Sequence, residues 1–204
     1  MLRRIELPDV ADLPQPSPEA DRLIAEANRR IEHFSFVRQG PLIPNFVACD
    51  FASVNSALAW IAARQLAPGR AFCEWGSGFG VVTLLAALHE FDACGIEVEA
   101  TLIDEARRLA DDFNIAADFA HGSAIPPNGQ DLIEYAEDVA HIDTDSFSGY
   151  DQLGLEIDDF DLYFAFPWPG ERAFWESLFD HYAAAGALLL TFEGREDMRL
   201  CRHV

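Results

Sequence analysis

The chain has 204 residues, half of them hydrophobic, and a formal net charge of −21 from 14 basic against 35 acidic side chains. That length fits one medium domain with a substantial core, and the acidic field repels phosphate backbones and anionic lipid, so no nucleic-acid or membrane partner is expected. Arg3-Arg4 precedes Ile-Glu-Leu-Pro-Asp rather than the apolar stretch of a signal peptide, and the four cysteines form no CxxC pair, so a reduced, cytoplasmic protein without a metal site is expected.

The N-terminal stretch to about Pro18, "LPDVADLPQPSP" included, is Pro-rich and reads as an extended arm. "SPEADRLIAEANRRIEHF" predicts an amphipathic helix with Ser17 as N-cap and Pro18 in the first turn. "QGPLIPN" breaks the chain. "DFASVNSALAWIAARQLAPG" predicts a second helix, capped by Asp50 or Ser53 and stopped at Pro68-Gly69. From Arg70 onward strands and helices alternate, which argues for a parallel α/β sheet. The strands are "RAFCEW", "DACGIEV", "IAADFA", "FDLYFAF" and "GALLLTF", and "DMRLCRHV" leaves room for one more. The helices between them are "GVVTLLAALHEF", "TLIDEARRLADDFN" with capping-box spacing at Thr101 and Asp104, and "GERAFWESLFDHYAAA". Residues 122–159 are long for a βα connection and very acidic, and they carry one predicted helix around "DLIEYAEDVA". No internal repeat is present. A single domain over 1–204 is expected, with an arm and helices over 1–69 and a cofactor-binding core over 70–204.

"CEWGSGFGVV" (Cys73 to Val82) carries the chemical signal. A dinucleotide site requires G-x-G-x-x-G with the pyrophosphate on the helix N-terminus. Gly76 and Gly78 satisfy the first two positions, but Val81 stands at the third and the extra glycine falls early, at Gly80. Glu74, at the tip of the strand, would repel a diphosphate. It would attract S-adenosylmethionine (SAM), which carries an ammonium and a sulfonium and no phosphate. Glu97 closes the next strand roughly twenty residues on, where an acid accepts from both ribose hydroxyls. The basic residues are all arginine, which excludes a Schiff-base lysine and the lysine of a Walker A loop.

"EWGSGFG" followed by "GIEVEATLIDEARRLA" resembles motif I and the acidic segment after it in the class I SAM-dependent methyltransferases, and the likeness extends over about Arg70 to Phe192. The resemblance implies an α/β fold with a doubly wound, mainly parallel sheet of seven strands (the Rossmann-like methyltransferase fold), with N-terminal helices as a partial lid. It also implies SAM as cofactor, bound across the C-terminal strand ends. Gly76, Ser77, Gly78 and Gly80 would contact its methionine part and ribose, Glu74 its ammonium, and Glu97 its ribose. Where many members carry an acid for the adenine amino group, this chain has Gly122-Ser123-Ala124, so Ser123 would accept that bond, with His121 beside it.

"FDLYFAFPWPGE" resembles the D/N-P-P-[YFW] turn of amino-methyltransferases in part, with Phe166 in the Asp/Asn position. Phe166 and Trp168 would face the transferred methyl group, where an aromatic face stabilises a desolvated cation by up to about 2 kcal/mol. Glu171 is the nearest candidate base, and Asn45, Phe46 and Asp50 are lid candidates. The expected activity is direct methyl transfer to a small molecule or a cationic protein side chain. The competing reading is a non-catalytic SAM-binding or scaffolding protein. Neither the acceptor nor the oligomeric state is legible.

Overall fold

The computed structural model describes residues 1–37, 47–127, 129, 132, 147–193 and 198–204. Seven strands form one sheet: β1 (Leu2–Ile5), β2 (Ala71–Trp75), β3 (Asp92–Glu97), β4 (Asp118–His121), β5 (Leu162–Ala165), β6 (Leu188–Phe192) and β7 (Met198–His203). Their order is β1-β7-β6-β5-β2-β3-β4. The five strands from β6 to β4 are parallel, and β7 runs antiparallel to both β6 and β1. The helices are α1 (Pro18–Val37), α2 (Phe51–Ala63), α3 (Val81–Leu88), α4 (Ala100–Phe113), α5 (Gly149–Leu153) and α6 (Arg172–Tyr182).

The central strands are buried on both faces, and their alternation sorts two cores. Phe72, Leu162, Phe164, Leu188 and Leu190 face one side, packed with apolar residues of α1 to α4. Cys73, Trp75, Tyr163 and Leu189 face the other, against Tyr150 of α5 and Phe174, Leu178 and Phe179 of α6. Helices on both faces of a mainly parallel sheet make the architecture doubly wound.

Several local expectations are met. Ser17 Oγ accepts the Ala20 N–H (3.2 Å), and Asp50 caps α2 by accepting the Ser53 N–H (3.2 Å) and hydroxyl (2.8 Å). Others are corrected. The N-terminal arm is part of the sheet, since Leu2 to Ile5 pair with His203 to Leu200 and supply the edge strand. Four residues before a proline give too short an alternation to signal a strand. α2 ends at Ala63, ahead of the predicted Pro68-Gly69 stop, because Gln65 turns the chain with φ +51°. The capping box at Thr101 and Asp104 is not formed. α4 begins with Glu99 as N-cap, its N–H held by Glu97 Oε1 (3.0 Å). The helix predicted around "DLIEYAEDVA" lies outside the described residues apart from Leu132. The described part of 122–159 returns to the sheet through a bridge between Ser123 and Ser148, then α5 and a 3-10 turn at Ile157–Asp159. Tyr150 anchors it, its hydroxyl accepting from Trp75 Nε1 (2.8 Å) and donating to the Ala124 carbonyl (3.0 Å).

Candidate cofactor site

Strands β2 and β5 are neighbours, with Trp75 opposite Ala165, yet α3 leads from β2 towards β3 on one side and α6 from β5 towards β6 on the other. Such a reversal opens a crevice beyond the carboxyl ends of the strands. The predicted residues gather there: the glycine turn after β2, Glu97 at the end of β3, Ser123 after β4, and Phe166 to Glu171 after β5.

The turn is left-handed at Gly76, Gly78 and Gly80 (φ +72°, +52° and +70°), a conformation that L side chains resist. Gly76 and Ser77 both donate N–H to the Ile96 carbonyl (2.9 and 3.0 Å), and Gly80 donates to Ser77 O (2.7 Å). These bonds tie the turn to β3 and deliver Gly80 as N-cap of α3. A Cβ on Gly76 would have no atom within 4 Å, whereas one on Gly80 would strike the Phe119 ring and Ala106. Gly76 thus leaves a bare face on the crevice, and Gly80 lets the turn pack on β4 and α4.

Two buried carboxylates stand at this turn. Glu74 Oε2 accepts from Thr83 twice, from its N–H (2.7 Å) and from its hydroxyl (2.5 Å), so the side chain reaches the first turn of α3 directly behind the glycines. Burial pushes the Glu74 carboxyl up to about 8 despite these two bonds, and the charge of Glu97 adds to the rise. Glu97 Oε2 accepts the Gly78 N–H (2.8 Å) and Oε1 the Glu99 N–H. Burial raises its pKa too, against the pull of those amides and that of Val98. The Cys49 thiol, just before α2, lies close enough to Glu74 that burial and then the Glu74 charge push its pKa up. The same rim therefore includes the segment leading into α2. Of the lid candidates, Asn45 and Phe46 lie outside the described residues, and Asp50 serves as the α2 cap.

Ser77 is buried, and its side chain lies over β3, where a Cβ at Gly95 would meet both it and Thr83. Ser77 is thus held within the turn by side chain and backbone alike. Ser123 is buried, and its Oγ accepts the Ile125 N–H (3.1 Å); the Gly122 N–H before it donates to Glu97 O (2.9 Å), which joins the β4 exit to the β3 exit. His121 is exposed, with Nε2 at 2.9 Å from Val98 O. Phe166 is half-buried against Phe192, edge to face at 5.3 Å. Trp168 is half-buried, and its N–H points at Glu171 Oε2 (3.3 Å). Glu171 is buried, and the same oxygen lies 3.5 Å from Trp175 Nε1, whose ring stacks on Trp75 at 5.3 Å. Glu171 therefore faces the α5–α6 side of the sheet, while Glu74 faces the α1–α4 side.

The architecture has counterparts among solved structures. A proposed O-methyltransferase from Klebsiella pneumoniae superposes with TM-score 0.52 at 20% identity, over 89% of this chain and 67% of that one. Cofactor-bound Rv0187 from MTB gives 0.50 at 16% identity, over 86% and 65%. An RNA methyltransferase from Salinibacter ruber, in complex with S-adenosylhomocysteine, gives 0.49 at 16% identity, over 74% and 88%. The fold is that of the class I methyltransferases. No family model and no curated protein matches the sequence.

One residue of this methyltransferase fold escaped the sequence reading. Thr83 sits in "GVVTLLAAL" as the polar member of an apolar helix start, fully buried. A buried threonine three residues after the N-cap glycine, nine residues after a strand-end acid, was the available signal. Among the described residues no helix is long and apolar enough to cross a membrane.

Proposed function

We propose that the chain is a SAM-dependent methyltransferase acting on a small molecule or a cationic protein side chain. The observation that carries this reading is the pair of buried carboxylates, Glu74 and Glu97, at a glycine turn whose first member leaves its face bare. Uncompensated buried charge is costly, so such a pair fits a ligand that brings positive charge and hydroxyl donors. A diphosphate would add like charge at the same place. When bound, SAM supplies an activated methyl group on a sulfonium.

In this reading Glu74 receives the ammonium of the amino-acid end, and the backbone of Gly76, Ser77, Gly78 and Gly80 lines the path to the ribose. Glu97, whose oxygens accept from the Gly78 and Glu99 amides with that of Val98 beside them, receives the two ribose hydroxyls. Ser123 borders the adenine end, where its hydroxyl stands beside the adenine amino group. Phe166 and Trp168 face the acceptor, and Glu171 serves there by fixing Trp168 through its amide. Methyl transfer needs chiefly in-line proximity, which is worth about 7–11 kcal/mol, so no nucleophile from the protein is required.

The test has two steps. Calorimetry should give binding of S-adenosylhomocysteine and none of NAD. Label from methyl-labelled SAM should then pass to a component of a metabolite pool or to protein. Preference for NAD would refute the charge argument; binding without any transfer would favour a scaffolding role.

A further inference from the structure

Thr83 is placed by three elements at once. It lies in the first turn of α3, is fully buried, and has apolar neighbours in Val81, Val82, Leu84 and Leu85. In a helix a threonine hydroxyl commonly bonds the carbonyl one turn back. Here it turns to β2 instead, so that Oγ1 and the backbone N–H converge on one oxygen of Glu74 (2.5 and 2.7 Å). Room for that rotamer exists because residue 95 is glycine: a Cβ there would come within 2.9 Å of Thr83 Oγ1. Strand β2, helix α3 and strand β3 thus each give up a more ordinary arrangement for this one contact.

We propose that Thr83 is a positioning residue for the amino-acid end of the cofactor, acting by locking the Glu74 carboxylate at the base of the glycine turn. This rests on the cofactor reading above. Two donors on one oxygen fix the rotamer of Glu74 and favour its charged form, which leaves the rest of the carboxylate for a cationic partner. Among the described residues, the groups around Glu74 that could otherwise do this are Glu97 from β3, the Cys49 thiol from the segment before α2, and the Cys73 thiol beside it in β2, and none of these is cationic.

The experiment compares two ligands on the full chain. S-adenosylhomocysteine carries the amino-acid end; 5′-methylthioadenosine shares its base and ribose and lacks that end. Thr83→Val keeps the shape and the backbone donor and removes the hydroxyl, and Thr83→Ala repeats the test should the valine variant not fold. Either variant should weaken S-adenosylhomocysteine about ten-fold or more, the scale of a lost hydrogen bond to a charged group, and leave methylthioadenosine within about two-fold. Thr83→Ser should restore the affinity. Unchanged S-adenosylhomocysteine binding, or equal weakening of both ligands, overturns the role of Thr83 while leaving the cofactor reading in place. A wild-type protein that binds neither ligand overturns both.

Discussion

Glu74→Gln tests whether the buried carboxylate costs the protein what its surroundings imply. The glutamine keeps an acceptor for Thr83 and removes the charge. In the folded protein the carboxyl titrates at about 8, against 4.5 for the unperturbed group, so between these values the folded state holds a proton that the unfolded state has lost. Stability from this group is therefore fully present below pH 4.5 and is lost as pH rises through 8. With the unfolded group ionised throughout, the loss between pH 6 and pH 8 is about 2 kcal/mol. Glu97, raised by burial and further by the charge of Glu99, has a slope of the same sign in both proteins. Urea unfolding of both proteins without ligand, at pH 6 and pH 8, gives the comparison directly. Wild type should lose about 2 kcal/mol more than Glu74→Gln over this interval. Parallel pH profiles would refute the reasoning, because they would mean that the carboxylate is solvated or already paired in the free protein.

Gly80→Ala should destabilise by roughly 2–5 kcal/mol in chemical unfolding, since its Cβ meets Phe119 and Ala106 in a left-handed conformation. Gly76→Ala shares the backbone penalty without the clash and should cost only about 1–2 kcal/mol; its Cβ projects from the bare face, so titration calorimetry should show S-adenosylhomocysteine binding largely abolished in a folded protein. Affinity for S-adenosylhomocysteine should fall as pH is lowered from 8 to 6, because the Glu74 carboxyl, at about 8 in the free protein, must give up its proton to meet the ammonium. Methylthioadenosine should stay level over the same range. Removal of residues 1–6 strips the edge strand from β7 and should lower the thermal midpoint by on the order of 5 °C, with concentration-dependent aggregation through the uncovered edge.

The parallel core was legible because each of its strands is a short apolar run between turn signals, and "GVVTLLAAL" and "TLIDEARRLADDF" have helical length and periodicity. What was not legible depends on partners distant in the chain. Leu2 to Ile5 become a strand because β7, two hundred residues on, offers an edge; nothing within "LRRI" says so. α5 holds to the sheet through Tyr150, which meets Trp75, and Gln152, which bonds His121, again across long separations. The α4 start was misread because the helix begins earlier, at Ala100 behind Glu99, whose N–H is held by the site residue Glu97. At the site itself the residue types were readable: an acid before a glycine turn and another at the next strand end. Their hydrogen-bond partners were not. Gly80 carries the pattern of a ligand-facing glycine, yet the side chains that require it are Phe119 and Ala106.

The two carboxylates are compensated differently, and the difference bears on what the site selects. Glu97 spreads its charge over amides of two turns, Gly78 of the glycine turn after β2 and Glu99 just beyond β3. Glu74 relies on the single residue Thr83 at the positive end of the α3 dipole. Its carboxyl is poised near neutrality, so a cation entering the crevice turns a protonated, weakly interacting group into a charged partner. An anion entering the same place gains nothing from Glu74 and meets the like charge of Glu97. On the proposed reading, discrimination between a sulfonium amino acid and a diphosphate thus follows from the burial of both carboxylates together with the Thr83 and backbone donors that hold them. Among the described residues no cationic side chain is paired with Glu74.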